Sequence, residues 1–337
     1  MKIVVIGAGA IGGLAAGYLK LKGEDVSLVG RPDAVKVIKN SGLYISGIRG
    51  NFNIRLSVFE RLNEPQELVI LAVKTQDIEG ALKDNLNFLN DATILTTQNG
   101  IQADNLVSKY IPQENIISSI IMFGSTNLEP GKIVHNFEGS WIIGRMFGSN
   151  DEQVKGMSEI LKQIFPIVVA EDIKGMKYLK IFINANNCIP AILGSSMQEA
   201  FFDVDISRIS IALWKEGLDI ITRAGINLVS LPGFPLERLM KLTSVPLPEA
   251  ARIYSGIMLN LSKEPLYGSI LQSIKRGRSS EIDYINGEFV SLAKENNLFA
   301  PLNEKLVEMV HEVERTNKFF TKENLVKEVE RNIIPYV

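Results

Sequence analysis

The chain opens on a solid apolar run, Ile3-Val-Val-Ile6, which breaks at Gly7-Ala-Gly9-Ala-Ile-Gly12-Gly13. Beyond the glycines, the apolar residues Leu14, Ala15, Tyr18 and Leu19 recur at helical spacing. Such a run followed by a 3.6-residue period predicts a buried strand, a tight turn and an amphipathic helix. Further apolar runs at Val26–Val29, Leu68–Val73, Ile94–Thr97 and Ile116–Ile121 alternate with helical stretches to about residue 120. That alternation predicts a mainly parallel sheet covered on both faces. Leu43–Ser46 and Asn53–Ser57, separated by Gly47-Ile-Arg-Gly50, predict a hairpin inserted into it. Short runs at Ile133–Asn136, Trp141–Ile143 and Ile167–Val169 are expected to extend the sheet with antiparallel strands.

After about Asp172 helical spacing dominates, punctuated by Leu231-Pro-Gly-Phe-Pro235 and Val245-Pro-Leu-Pro248. The expected organisation is an α/β Rossmann-type domain over residues 1–171 and an all-α domain over 172–337. Glu308 to Arg331 reads as the solvated face of a terminal helix. No internal repeat or low-complexity segment interrupts either half.

The glycine turn carries the first chemical signal. Gly7 permits a tight turn, Gly9 lets backbone approach a pyrophosphate, and Gly12 lets the helix pack close on the strand, with Ala8, Ala10 and Ile11 completing the loop. Free N–H groups at the helix start would then face the phosphates. About 20 residues further on, where an NAD-preferring site places a carboxylate for the ribose, this chain has Gly30-Arg31. Glu24 and Asp25 precede the second strand, at its wrong end. Arg31 offers a planar fork of donors to a 2'-phosphate, and Lys74, after the third strand, a second positive charge. NADP(H) is therefore expected over NAD(H), against the plainer reading of two solvated surface cations.

Composition narrows the partners. The 337 residues are 46% hydrophobic and 22% charged, enough for a large core and more than one usual domain. The formal net charge is −2 and the one short basic cluster is Lys275-Arg-Gly-Arg278, so no nucleic-acid partner is expected. No apolar run approaches the roughly 18 residues of a membrane span. The first strand begins near residue 2, which argues against a signal peptide. One cysteine and two separated histidines give neither a disulfide framework nor a metal site. A cytoplasmic location is expected.

In the second half, Lys180, Asn184 and Asn187 stand at i, i+4 and i+7, which on a helix places them on one face. Two readings are open there. The lysine and amides could donate a proton and grip a polar substrate, or the amides could satisfy loop backbone while the lysine snorkels. Asn99-Gly100 follows a strand at the cofactor-facing end, where it also reads as a turn. Ser269 and the segment Ser280-Glu281-Ile-Asp283 add a hydroxyl and two acids, which by default are surface groups.

Taken in order, these segments resemble the ketopantoate reductase family, or 2-dehydropantoate 2-reductases. The resemblance runs through Gly7–Gly13, Lys74, Gln98-Asn-Gly100, Glu129-Pro-Gly-Lys-Ile-Val-His135, Tyr178-Leu-Lys180 with Asn184, and Ser269-Ile-Leu-Gln272. Its most discriminating stretch is Glu281-Ile-Asp-Tyr-Ile-Asn-Gly287, far outside the nucleotide fold. It implies NADPH-dependent reduction of ketopantoate to pantoate, on the route to coenzyme A. Lys180 would be the general acid and Glu281 would hold or polarise the reacting centre. Asn99 would lie near nicotinamide and substrate, and Asn184 and Ser269 would help bind the small 2-oxo acid. These groups are expected to meet in a cleft between the domains.

Two positions depart from the family pattern. Cys188, with Asn187 beside it, stands where a second asparagine is usual, and Ser273 where an acid is common. Both positions are expected to serve substrate recognition, so they leave open a different small 2-oxo acid. A non-catalytic NADP(H) sensor is the alternative from another class. The proline-rich stretch is expected to shape the substrate cleft or a homodimer contact.

Overall fold

The computed structural model describes residues 2–333 and 336. By its internal contacts the chain falls into two compact units, residues 1–174 and 175–337.

The first unit is built on β1 (Ile3–Ile6), α1 (Ala10–Leu21), β2 (Val26–Val29), α2 (Pro32–Ser41), β3 (Leu43–Gly47), β4 (Phe52–Ile54), β5 (Ser57–Phe59) and β6 (Leu68–Leu71). It continues with α3 (Ile78–Asn85), β7 (Thr93–Thr96), α4 (Gln102–Val107), β8 (Ile116–Ile121), β9 (Gly124–Glu129), β10 (Lys132–Phe137), β11 (Trp141–Gly144), α5 (Glu152–Leu161) and β12 (Ile167–Val169). The large sheet has the order β12-β11-β8-β7-β6-β1-β2-β5. From β5 to β8 every pairing is parallel, which is the doubly wound dinucleotide-binding order. Successive residues of β1 feed opposite cores, Ile3 and Val5 on one face, Val4 and Ile6 on the other. That two-sided burial is why the strand reads as a continuous apolar run.

The second sheet, β4-β3-β10-β9, was only half legible. The hairpin β3–β4 forms, but the run assigned to its second arm splits, and β5 leaves to pair with β2. β10 pairs parallel with β3 rather than extending the large sheet, and β9, not anticipated, lines its other edge. β11 does join the large sheet antiparallel to β8, with β12 parallel to β11. Helix α1 lies between the two sheets, so Gly12 through Leu19 are all buried. A Cβ on Gly13 would fall 2.1 Å from Ile133 Cδ1, and one on Gly17 2.3 Å from Ile45 Cδ1. The glycines let the second sheet pack directly on the helix.

The second unit is helical. Its elements are α6 (Ile173–Ala185), which begins at the boundary, α7 (Cys188–Leu193), α8 (Met197–Phe201), α9 (Val204–Arg223), α10 (Leu236–Ser244) and α11 (Leu247–Leu259). Then come α12 (Ser269–Lys275), α13 (Asn286–Glu295), α14 (Pro301–Thr316) and α15 (Lys322–Ile333). The long helix α9 is the hub, packed by α11, α13, α14 and α15. Its Asp203 cap accepts the Asp205 and Ile206 N–H groups. Its Glu216, 1% exposed, accepts the Leu302 and Asn303 N–H groups at 2.9 and 2.8 Å and so caps α14. Glu308 to Arg331 is not one helix. Asn317, in left-handed conformation at φ 53°, ends α14 before α15 begins.

Candidate active site

The dinucleotide end of the first unit follows from backbone stereochemistry. Gly7 has φ +120°, and a Cβ there would sit 2.6 Å from the Ala72 carbonyl carbon; at Gly12 it would sit 2.0 Å from the Gly7 oxygen. Only glycine fits either place. Gly9 differs: beyond its own chain neighbours, no atom lies within 4 Å of where its Cβ would be. It is the N-cap of α1, with no side-chain cap and no acid in the first turn. The first N–H groups of the helix, from Ala10 and Ile11, thus face a gap beside Gly9 and Ala8 under the positive end of the helix dipole. A pyrophosphate fits such a cradle, and the residues present suit the coenzyme.

Arg31 and Lys74 lie at the carboxyl ends of β2 and β6, the strands on either side of β1. In open α/β sheets this reversal of strand order is where ligands bind. Arg31 is exposed and Lys74 half-buried. Asn99, half-buried, follows β7 at the same end. Its neighbour Gln98 is a structural tie: Nε2 donates to the Leu71 and Val73 carbonyls at 2.9 and 2.8 Å, while Oε1 accepts the Thr97 N–H at 3.0 Å. Gln98 therefore joins the chain leading to Lys74 to the chain leading to Asn99. That role was hidden in the sequence, where the residue was visible only as the first letter of Gln98-Asn-Gly100.

In the second unit, Lys180 and Asn184 project from α6, one turn apart and both half-buried. Burial pushes the Lys180 ammonium down to about 8, because the charged form loses water. Asn187 does not share their helix: α6 ends at Ala185, and Asn187 is the N-cap of α7. The break turns it toward Gly268, whose Cβ would meet Asn187 Cβ at 3.1 Å, and so toward Ser269 at the exposed start of α12.

The expectation of substrate contact at Cys188 is corrected. Its side chain is 0% exposed, and the Asn286 amide donates to its Sγ at 3.7 Å. Starting a new helix at Cys188 points the thiol into the core, where burial raises it far above the ordinary thiol range. Glu281, half-buried, precedes a 3₁₀ turn at Ile282–Tyr284 and stands outside any α-helix, which frees its direction from that of Asp283. Among the described residues no group of histidines, cysteines and acids could hold a metal, and no helix is long and apolar enough to cross a membrane.

A doubly wound sheet with an open glycine cradle, accompanied by a half-buried lysine of lowered proton affinity on a helical unit, is the pattern of a nicotinamide-dependent oxidoreductase. Comparison with known proteins names the family. The profile of "Ketopantoate reductase PanE/ApbA" matches residues 3–148, and that of its C-terminal domain matches residues 172–314. The chain belongs to the ketopantoate reductase family. It is 32% identical to the 2-dehydropantoate 2-reductase of Pyrococcus horikoshii over 90% of this chain and 94% of that one. It is 24% identical to that of Archaeoglobus fulgidus over 93% and 98%. Among solved structures, D-mandelate dehydrogenase with NADH and anilino(oxo)acetate shares the fold at a TM-score of 0.82 and 24% identity, covering 94% of this chain and 99% of that one.

Proposed function

We propose that this protein reduces 2-dehydropantoate to pantoate with NADPH, in the cytoplasm, as a step toward coenzyme A. The family's coenzyme is NADPH, which supplies a hydride to the ketone carbon. The observation that carries the chemistry is Lys180 half-buried on α6 one turn from Asn184, where burial lowers its ammonium to about 8. A donor whose proton is this loosely held at neutral pH is matched to protonating a developing alkoxide, and until it does so its charge stabilises that oxygen. Asn184, Asn187 and Ser269 supply amide and hydroxyl groups for the substrate's polar atoms. Glu281 offsets the positive charge of a site that receives anionic partners. Gly7 to Gly12 hold the pyrophosphate, Arg31 and Lys74 the 2'-phosphate, and Asn99 lies toward the nicotinamide. The substrate reading is supported by relatives matched over nearly their whole length. Burial of Cys188 removes one of the two departures that favoured another 2-oxo acid.

The test is NADPH oxidation with ketopantoate, 2-oxoisovalerate and 2-oxopantoyl lactone, for the native protein and Lys180→Ala. Ketopantoate turnover that collapses in the variant is the expected result. Turnover with another oxo acid alone would discard the substrate and keep the reductase. NADPH binding with no turnover on any of the three would point to a sensor.

A further inference from the structure

An acid stands where the sequence pointed only to cations. Asp77 Oδ2 accepts a hydrogen bond from Arg31 Nη2 at 3.1 Å. Arg31 caps α2 after β2, and Asp77 ends the 3₁₀ turn that Lys74 opens after β6. Because β1 lies between those two strands, the ion pair spans the place where the coenzyme's ribose end is read. It is also loosely held, since the two side chains are 63% and 41% exposed. An exposed pair of this kind is easily exchanged for a stronger partner.

We propose that Asp77 sets the balance between NADPH and NADH by competing for the guanidinium that a ribose 2'-phosphate needs. The inference rests on the reading that Arg31 receives that phosphate. A phosphate monoester carries more charge than a carboxylate and engages the guanidinium fork through two oxygens, so it displaces Asp77. The displaced acid remains nearby and repels the phosphate, which weakens NADPH binding. An unphosphorylated ribose disturbs nothing: the ion pair stays, and its carboxylate can accept from a hydroxyl. Asp77 thus narrows the preference for NADPH without reversing it. The other charges close to the pair in sequence are Lys74, Asp33 in the first turn of α2 and Glu79 in the first turn of α3, with Lys36 and Lys39 further along α2. Lys74 adds to the attraction for phosphate and Asp33 opposes it, so neither replaces a carboxylate hydrogen-bonded to Arg31.

Calorimetric titration of the full chain tests this without turnover, using NADPH, NADH and the end fragments 2',5'-ADP and 5'-AMP. Asp77→Asn is expected to tighten NADPH and 2',5'-ADP roughly three- to tenfold, the range of one like-charge repulsion across water at a few ångströms. NADH and 5'-AMP should stay within about twofold, and the gain should vanish when Arg31→Ala is added. Unchanged or weaker 2',5'-ADP binding by Asp77→Asn, while Arg31→Ala still lowers it, would overturn the proposal and leave the phosphate reading intact. Wild-type 2',5'-ADP affinity in Arg31→Ala would remove the phosphate reading itself, and the proposal with it. Both side chains are exposed, so these variants are expected to fold normally.

Discussion

His311 Nε2 lies 2.9 Å from Asp283 Oδ1, which ties α14 to the 3₁₀ turn that follows Glu281. The other ring nitrogen lies 3.1 Å from Glu314 Oε2, and Glu314 Oε1 accepts the Ser280 N–H at 2.7 Å. One histidine and one acid thus hold the chain on both sides of Glu281. The ring can donate to both carboxylates at once only when it is protonated.

This clamp has a pH dependence with a definite sign. Burial alone would push His311 down, but its hydrogen bonds to Asp283 and Glu314 and their charges outweigh that and hold it above the ordinary value of 6.5. A raised histidine stabilises the fold fully below its unfolded value and loses that contribution as pH rises through its folded value. The melting temperature of His311→Ala should therefore fall short of the native one by more at pH 6 than at pH 9. Amide exchange at residues 280–284 should accelerate in the variant. A deficit that does not change with pH would mean that the ring acts only by packing.

Lys180 carries the opposite linkage. An ammonium pushed down from 10.5 to about 8 makes the folded state bind fewer protons than the unfolded one between those values, so its contribution to stability rises with pH there. Below that window the charge costs the fold on the order of 3 kcal/mol. Lys180→Met should therefore keep or raise the melting temperature at pH 7 while lowering kcat about 10²- to 10⁴-fold. Native turnover should decline as pH rises through about 8. A variant that loses activity and stability together would argue for a structural lysine instead.

The glycine loop separates folding from binding by position. Gly12→Ala forces a Cβ against the Gly7 carbonyl oxygen at 2.0 Å, backbone that cannot swing aside, and should destabilise the unit by about 1–3 kcal/mol. Gly9→Ala meets nothing within 4 Å beyond its own chain neighbours and has a permissive φ of −85°, so its melting temperature should hold. Its NADPH affinity should still drop at least tenfold, since the methyl occupies the approach to the helix N–H groups. Titration of both variants with NADPH checks this, and full affinity in Gly9→Ala would place the pyrophosphate elsewhere.

Gln98 offers a test of the strand-end scaffold. Gln98→Ala takes this donor from the Val73 carbonyl, at a cost of about 1–3 kcal/mol where it stays dry, whereas the Leu71 carbonyl keeps the Thr97 N–H and hydroxyl. Gln98→Glu should cost at least as much at pH 8, because a carboxylate then faces two carbonyl oxygens. Thermal unfolding of both variants, with NADPH titration alongside, is the measurement. The expected result is a joint loss, since the same side chain aligns the segments bearing Lys74 and Asn99.

The β1–turn–α1 unit, the succession of parallel strands and the change to helices after Asp172 are all determined by sequence. Each depends on apolar spacing or on glycine stereochemistry within some fifteen residues. Lys180 and Asn184 are legible on one face for the same reason. The second sheet is a different case, because β3 pairs with β10 across almost ninety residues and apolar runs do not say which run they will meet. The helix break at Asn186–Asn187 is likewise tertiary: it sends Asn187 toward Gly268 and Cys188 into the core, where an unbroken period would have kept Asn187 with Lys180. Asp77 beside Arg31 and His311 beside Asp283 are separated by 46 and 28 residues. Local pattern fixes what each segment becomes, whereas charge partners, burial and the resulting proton affinities are set by which segments the packed fold brings together.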